Sequence, residues 1–206
     1  MGETNYEILV NKETKLDETY YKTVILPSLV SVGFIKDNSI MFDMWKIAPR
    51  EIILEKEAAQ HFNELRTFMR EKGIFFDISC GFLTAEQQGT KYNYFLKKHG
   101  LEFTEKSACL PMYSEHNTGL ALDCDIFKDG KWAGIAVQPD GGVNEETAFL
   151  HTVLHEFGFI LRYPKGKEDI TRMKFEPWHL RYVQKKLAKL IHKNQWTLEE
   201  YYEQKK

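Results

Sequence analysis

The sequence lacks several features that mark whole classes of protein. No run of about 18 apolar residues is present, so a membrane-spanning helix is not predicted. Cys80, Cys109 and Cys124 form no CxxC pair and are too few for a disulfide framework, which also argues against a thiolate zinc site. Lys and Arg number 28 against 30 Asp and Glu, a formal charge of −2. Nucleic acid is therefore not an expected partner.

The N-terminal segment also lacks the apolar core of a signal peptide. Sparse cysteines are typical of a reducing compartment, so the chain as given is expected in the cytoplasm. An N-terminal anchor on a longer protein would instead place this domain outside the membrane. The GxSxG nucleophile elbow and the phosphate-binding glycine loop are absent too, which argues against a serine hydrolase and a nucleotide phosphate site.

What is present predicts one soluble domain over residues 1–206, with 43% apolar and 28% charged residues. Helical spacing, capping residues and short β-branched runs occur in mixed order, without a regular βαβ alternation. This order favours an α+β fold in which a small antiparallel sheet is flanked by helices. The predicted helices are 55–72, 84–100, 144–157, 181–192 and one beginning at Thr197, and the predicted strands are 74–79, 119–127 and 159–163.

The predicted strand at 119–127, GLALDCDIF, alternates in its second half. Side chains on a strand point to opposite faces in turn, so Asp123 and Asp125 share one face. The apolar residues beside them, including Cys124, share the other. Cys124 is therefore expected to be buried rather than to act as a nucleophile.

Two further patterns carry groups that bind metals. His116 and Asp123 lie seven residues apart, with Gly119 permitting a turn between them. Glu176 and His179 flank a Pro-Trp pair, and the stiff proline holds their relation, which suits a ligand beside a general base. Each pattern alone is more often structural, as a surface histidine with a strand-end aspartate or as a tryptophan-anchored turn. Two histidines and one carboxylate together match a catalytic zinc site with one open position.

His151 and His155 present a competing zinc motif, since residues four apart share a helix face. The zinc-protease pattern HExxH needs Glu directly after the first His, where this chain has Thr152. The inverted pattern HxxEH needs Glu at position 154, which is Leu. We interpret both histidines as ordinary helix residues.

The patterns S-x-H-x-x-G-x-A-x-D at 114–123, GFILRYPKGKEDIT at 158–171 and EPWHLRYV at 176–183 together resemble one family. They are similar to the zinc D-alanyl-D-alanine carboxypeptidases and dipeptidases of the vancomycin-resistance VanY and VanXY type. That group shares its zinc fold with hedgehog and lysostaphin-like proteins. The segments ILVNK near the start and WTLEEY near the end extend the resemblance over nearly the whole chain.

The resemblance implies an α+β zinc peptidase with the metal at the sheet and a peptide cleft beside it. It implies that His116, Asp123 and His179 bind Zn²⁺ and that Glu176 is the catalytic base. Ser114 is expected near the substrate by its place in the motif. The implied substrate is a peptidoglycan precursor or another peptide ending in D-Ala-D-Ala, from which the terminal D-Ala, or the dipeptide bond itself, is hydrolysed.

One departure from the family pattern leaves alternatives open. The family carries an Arg that stabilises the oxyanion, and this chain has Leu83 at that position. Arg172 is a candidate substitute. Loss of one oxyanion donor costs about 10²–10³ in rate. An alternative function is therefore a zinc-containing module that binds D-Ala-D-Ala peptides with weak or no hydrolysis, and a third is a zinc peptidase with another specificity, such as an L,D-selective enzyme.

Overall fold

A computed structural model describes residues 2–34, 51–128 and 130–206. The strands are β1 (Leu29–Phe34), β2 (Glu51–Glu55), β3 (Phe76–Cys80), β4 (Ala121–Lys128), β5 (Lys131–Gly134), β6 (Phe159–Leu161) and β7 (His179–Tyr182). The α-helices are α1 (Glu18–Tyr20), α2 (Leu26–Ser28), α3 (Lys56–Glu71), α4 (Ala85–His99), α5 (Leu101–Ser107), α6 (Glu145–Val153), α7 (Glu168–Thr171), α8 (Lys185–Asn194) and α9 (Leu198–Glu203). A π-helical turn spans Tyr21–Ile25, and 3₁₀ turns span Glu115–Thr118 and Leu154–Phe157.

The larger sheet is antiparallel and has five strands. β4 lies between β3 and β7, β6 pairs with β7, and β5 pairs with the far end of β4. β1 and β2 form a separate two-stranded antiparallel sheet. The predicted α+β class with a small antiparallel sheet and flanking helices is confirmed. No helix in the described part of the chain is both long and apolar enough to span a membrane.

Helix α3 illustrates how local sequence places the core. Its apolar residues recur at spacings of three and four, so they form one stripe along the helix. That stripe packs on the sheet, with Phe62, Leu65 and Met69 almost fully buried. The Glu55 carboxylate accepts from the amides of Glu57 and Ala58 and caps the first turn. The helix predicted from spacing is confirmed to within one residue at each end.

One predicted element has the wrong boundary. Residues 181–192 were expected to be helical, whereas Arg181 and Tyr182 belong to β7 and the helix begins at Lys185. Both residues are fully buried in the sheet, and Arg181 is bound there by a carboxylate. Tertiary pairing therefore overrides the local helical pattern at this point.

Candidate active site

The two predicted patterns meet at the pairing of β4 with β7. Asp123 on β4 stands directly opposite His179, the first residue of β7. His116 lies in the 3₁₀ turn that precedes β4, and the Ser114 hydroxyl accepts a hydrogen bond from its amide. Gly119 ends that turn in the left-handed region, with φ of 70°, where a Cβ would lie 2.6 Å from the Leu29 side chain. The turn therefore brings His116 back over the strand.

Three potential ligand groups converge there. Nε2 of His116 lies 3.3 Å from Oδ2 of Asp123, and Nδ1 of His179 lies 3.0 Å from Oδ1 of the same carboxylate. The two imidazole rings are 5.0 Å apart at an interplanar angle of 76°. All three side chains are buried. Both predicted histidines thus present one nitrogen to one shared carboxylate.

The donor chemistry of this cluster fits a metal ion. Nδ1 of His116 donates to the carbonyl of Gly81 at 2.9 Å, so Nε2 is the nitrogen that faces Asp123 and is placed to bind a metal. Oδ1 of Asp123 is buried and has no aligned hydrogen-bond donor in the part of the chain that the structure describes, despite the short distance to His179. A buried carboxylate oxygen without a hydrogen bond is costly. A cation held between these groups would satisfy it.

Glu176 completes the cluster from the segment before β7. Its Oε2 lies 3.9 Å from Nδ1 of His179, and the side chain is buried. Burial raises the pKa of Glu176 to about 7, against the opposing effect of the charge on His179. For Asp123 burial acts in the same upward direction, but the charges of His116 and Lys91 hold its pKa well below its usual range. One carboxylate of the pair is therefore suited to exchange a proton and the other to stay ionised.

Glu115 was not singled out by the sequence analysis, yet it connects this cluster to the scaffold. Its Oε2 lies 3.7 Å from Nε2 of His179, while its Oε1 accepts from Arg162 at 2.8 Å and from Arg181 at 2.6 Å. A carboxylate behind a metal-binding imidazole orients the ring and raises its basicity. Arg181 within β7 and Arg162 directly after β6, each among apolar residues, are the signal that predicts such a buried partner.

Cys80 is a second residue that spacing did not reveal. Cys80, His116 and Asp123 each offer a ligand atom, and these atoms lie within 4.8 Å of one another. The Cys80 thiol, however, lies 3.9 Å from Nδ1 of His116, the nitrogen already bound to the Gly81 carbonyl. Its contact with the ring is therefore to the nitrogen that is already engaged, and not to the one that faces Asp123.

A cleft of about 320 Å³ opens beside the cluster. Asp123, Asp125 and Glu176 contribute carboxylates to it, which confirms that the two aspartates of β4 share one face. Cys124 is buried, as predicted. Two lysines and three aromatic residues also line the cleft, namely Lys91, Lys174, Phe95, Phe103 and Trp178.

The residues predicted for substrate binding occupy different surroundings. Ser114 is buried and caps the turn that carries His116. Arg172 is exposed, with its Nε 3.8 Å from a Glu13 oxygen, and lines a separate cavity with Lys12 and Cys109. Their roles toward substrate stay predictions.

The two competing histidines lie outside the cluster. Nε2 of His151 donates to the Pro177 carbonyl at 2.9 Å, and burial lowers its pKa. The His155 ring stacks on His192 with centroids 3.8 Å apart. His151 lies in α6 and His155 in the 3₁₀ turn that follows it, and both side chains are engaged in structural contacts, in agreement with their interpretation as residues without a role in the zinc site.

Comparisons with known proteins place this geometry in context. The family model for VanY, D-alanyl-D-alanine carboxypeptidase, matches residues 51–185. The bifunctional D-Ala-D-Ala dipeptidase and D-Ala-D-Ala carboxypeptidase VanXYC of Enterococcus gallinarum is 33% identical over 167 residues, which cover 74% of this chain and 79% of that protein. The range that the family model matches, 51–185, contains every residue of the candidate site.

Solved structures show the same likeness. The LdcB LD-carboxypeptidase is 31% identical, with a TM-score of 0.73 over 95% of this chain and 84% of that one. The vancomycin resistance D,D-pentapeptidase VanY, solved as a variant in complex with Zn(II), is 25% identical, with a TM-score of 0.71 over 96% of this chain and 98% of that one. The resemblance first seen in the motifs therefore extends to the whole fold.

Proposed function

Because the chain belongs to the VanY family of D-alanyl-D-alanine carboxypeptidases, we propose that it is a zinc-dependent D,D-carboxypeptidase that removes the terminal D-Ala from peptidoglycan precursor peptides. The observation that carries this proposal is the buried cluster of His116, Asp123 and His179 with Glu176 beside it. The VanY structure that contains Zn(II) supports the choice of metal.

In this proposal His116, Asp123 and His179 hold the zinc ion, which matches the two-histidine, one-carboxylate ligand set of catalytic sites. When bound, zinc supplies Lewis acidity toward the scissile carbonyl and toward water. Glu115 keeps the His179 ring in place through its position behind Nε2.

Glu176 carries the proton. It takes a proton from the attacking water as the oxygen bonds to the carbonyl carbon, and it passes that proton to the leaving amine as the C–N bond breaks. A pKa of about 7 suits both steps, since the group must accept and release a proton at neutral pH. The products are the shortened peptide and free D-Ala.

A second candidate is an L,D-carboxypeptidase. The observation that favours it is the likeness to LdcB, which covers most of both chains at 31% identity. The two functions share the metal chemistry and differ in the residue before the cleaved bond. A third, a peptide-binding module with weak hydrolysis, is favoured by Leu83, whose side chain is fully buried and presents no charge to the cleft.

The test is the release of D-amino acid from three peptides: a stem pentapeptide ending in D-Ala-D-Ala, the corresponding tetrapeptide ending in D-Ala, and free D-Ala-D-Ala. Zinc-loaded protein is expected to release D-Ala from the pentapeptide, and a chelator is expected to stop it. Release from the tetrapeptide alone would favour the L,D-specific function. Binding of the pentapeptide without release would favour the binding module.

A further inference from the structure

Three carboxylates line the cleft, and its proposed reaction adds further negative charge. Asp123, Asp125 and Glu176 line it. Hydrolysis of a peptide adds to this, because negative charge develops on the carbonyl oxygen as water attacks. A positively charged donor near the site of attack would offset that charge, and among the described residues of the cleft the candidates are Lys91 and Lys174.

These two lysines are placed differently. Nζ of Lys91 lies 3.7 Å from Oδ2 of Asp123, and only 11% of the side chain is exposed. The Lys174 ammonium instead lies over the rings of Phe103, at 4.6 Å, and Trp178, at 5.8 Å. Lys91 therefore reaches the cluster that would hold the metal, whereas Lys174 is bound to the aromatic wall.

The two positions that the sequence analysis connected with the oxyanion, 83 and 172, do not line this cleft. Leu83 packs in the main apolar core with no exposed surface. The side chain of Arg172 is 62% exposed and stands beside Glu13 in another cavity. A buried lysine also needs a reason, because removing an ammonium from water costs several kcal/mol unless it is paired. The pairing with Asp123, at 3.7 Å, uses at most one of the three N–H donors of the ammonium, and Lys91 lines the cleft.

We infer that Lys91 is a catalytic residue that donates a hydrogen bond to the carbonyl oxygen of the scissile peptide and stabilises the charge that develops there. This inference rests on the proposed peptidase function. Lys91 keeps its proton throughout, while Glu176 moves the proton from water to the leaving amine. Helix α4 supplies this group through its inner face, where Gln88 is buried one turn earlier.

The test compares Lys91→Met with Lys91→Arg and with Lys97→Met, all zinc-loaded. Lys97 is an exposed residue of the same helix, so Lys97→Met removes the same charge outside the cleft. We measure kcat and KM for the D-Ala-D-Ala pentapeptide, the zinc content, and the affinity for a phosphinate analogue of D-Ala-D-Ala by calorimetry. A phosphinate carries the negative oxygens that the attacked carbonyl only develops.

Lys91→Met is expected to retain zinc, to lose about 10²–10³ in kcat with a smaller change in KM, and to bind the phosphinate more weakly by a similar factor. Lys91→Arg is expected to recover part of the loss, because it keeps the positive charge but carries it on a larger, planar group. Lys97→Met is expected to match the wild type. The inference is overturned if kcat and phosphinate affinity of Lys91→Met stay within about threefold of wild type.

It is also overturned if Lys91→Met loses its zinc, because Lys91 would then serve Asp123 and not the substrate. A wild-type protein that neither cleaves the pentapeptide nor binds the phosphinate would refute the proposed function itself. An active wild type with an equally active Lys91→Met would refute only the inference about Lys91.

Discussion

Two clusters of buried charge lie side by side in this protein, and they are built differently. In the first, here called the paired network, Glu115, Arg162, Arg181 and Glu199 bind one another at 2.6–2.8 Å. In the second, here called the site cluster, His116, Asp123, Glu176, His179 and Lys91 approach at 3.0–3.9 Å. Among the described residues, Oδ1 of Asp123 and Nε2 of His179 in the site cluster lack aligned hydrogen bonds, and in the paired network only Oε2 of Glu115, which faces His179, lacks one.

The difference indicates what each cluster is for. A buried ion pair at short distance with its hydrogen bonds made is a finished structural unit. A buried group of opposite charges at longer distance, with unpartnered atoms, has room for a further ligand. Glu115 belongs to the network and stands behind His179 of the site, so the network fixes the position of the group that the site uses.

The largest expected effect is a loss of activity without a loss of stability. Glu176→Gln removes the proposed base of the site cluster without changing its size, so D-Ala release is expected to fall by about 10²–10⁴. Zinc content and the free energy of unfolding are expected to stay near those of the wild type. Turnover, metal analysis and urea unfolding check the three quantities. A variant that remains active contradicts the role of Glu176.

Disrupting the paired network should instead lower the free energy of unfolding. Arg181→Met leaves Glu115 with one arginine and releases the Tyr6 and Ile8 carbonyls that Arg181 binds. Removing one partner of a buried ion pair costs about 3–5 kcal/mol in the free energy of unfolding. Denaturant unfolding measures it. A cost under about 1 kcal/mol would mean that the network is not the scaffold proposed here.

Glu115→Gln tests the link between the two clusters. Its neutral amide no longer provides the charge behind His179, so zinc affinity is expected to fall by about 10–100-fold. The free energy of unfolding is expected to fall as well, since both arginines lose a counterion. Competition with a chromophoric chelator measures the affinity. If Arg181→Met lowers zinc affinity as much as Glu115→Gln, general loosening and not Glu115 is the cause.

The smallest effect is expected at Cys80. Its thiol lies on the edge of the His116 ring that binds the Gly81 carbonyl, so we place it outside the zinc ligands. Cys80→Ser is expected to keep zinc affinity within about tenfold of wild type. X-ray absorption of the zinc-loaded protein should show N/O ligands near 2.0–2.1 Å and no sulfur near 2.3 Å. A sulfur shell would assign Cys80 to the metal.

Local sequence was sufficient to predict some of this architecture. Helix α3 and the common face of Asp123 and Asp125 follow from spacing alone, because period and burial agree there. The start of α8 was mispredicted because burial of Arg181 against Glu115 overrides a helical pattern. The structure of such a segment is decided by its pairing with distant segments, and a short stretch of sequence does not show that pairing.

The residues of the site also fall into those that local sequence predicts and those that it does not. Two short motifs contain the metal-binding and proton-transfer residues that the sequence predicts, namely His116, Asp123, Glu176 and His179. Lys91 lies in neither motif, and only the tertiary structure brings its ammonium to within 3.7 Å of Asp123. The motif positions therefore predict the metal side of the site, while the charge on the substrate side depends on tertiary structure.

We propose that the site cluster is a zinc site that hydrolyses peptides ending in D-Ala. D-Ala release from the D-Ala-D-Ala pentapeptide is measured while metal-free protein is titrated with zinc. We expect negligible release at the start, a rise in proportion to added zinc, and a plateau at about one zinc per chain. Release that is independent of zinc, or no release at full zinc occupancy, would contradict it.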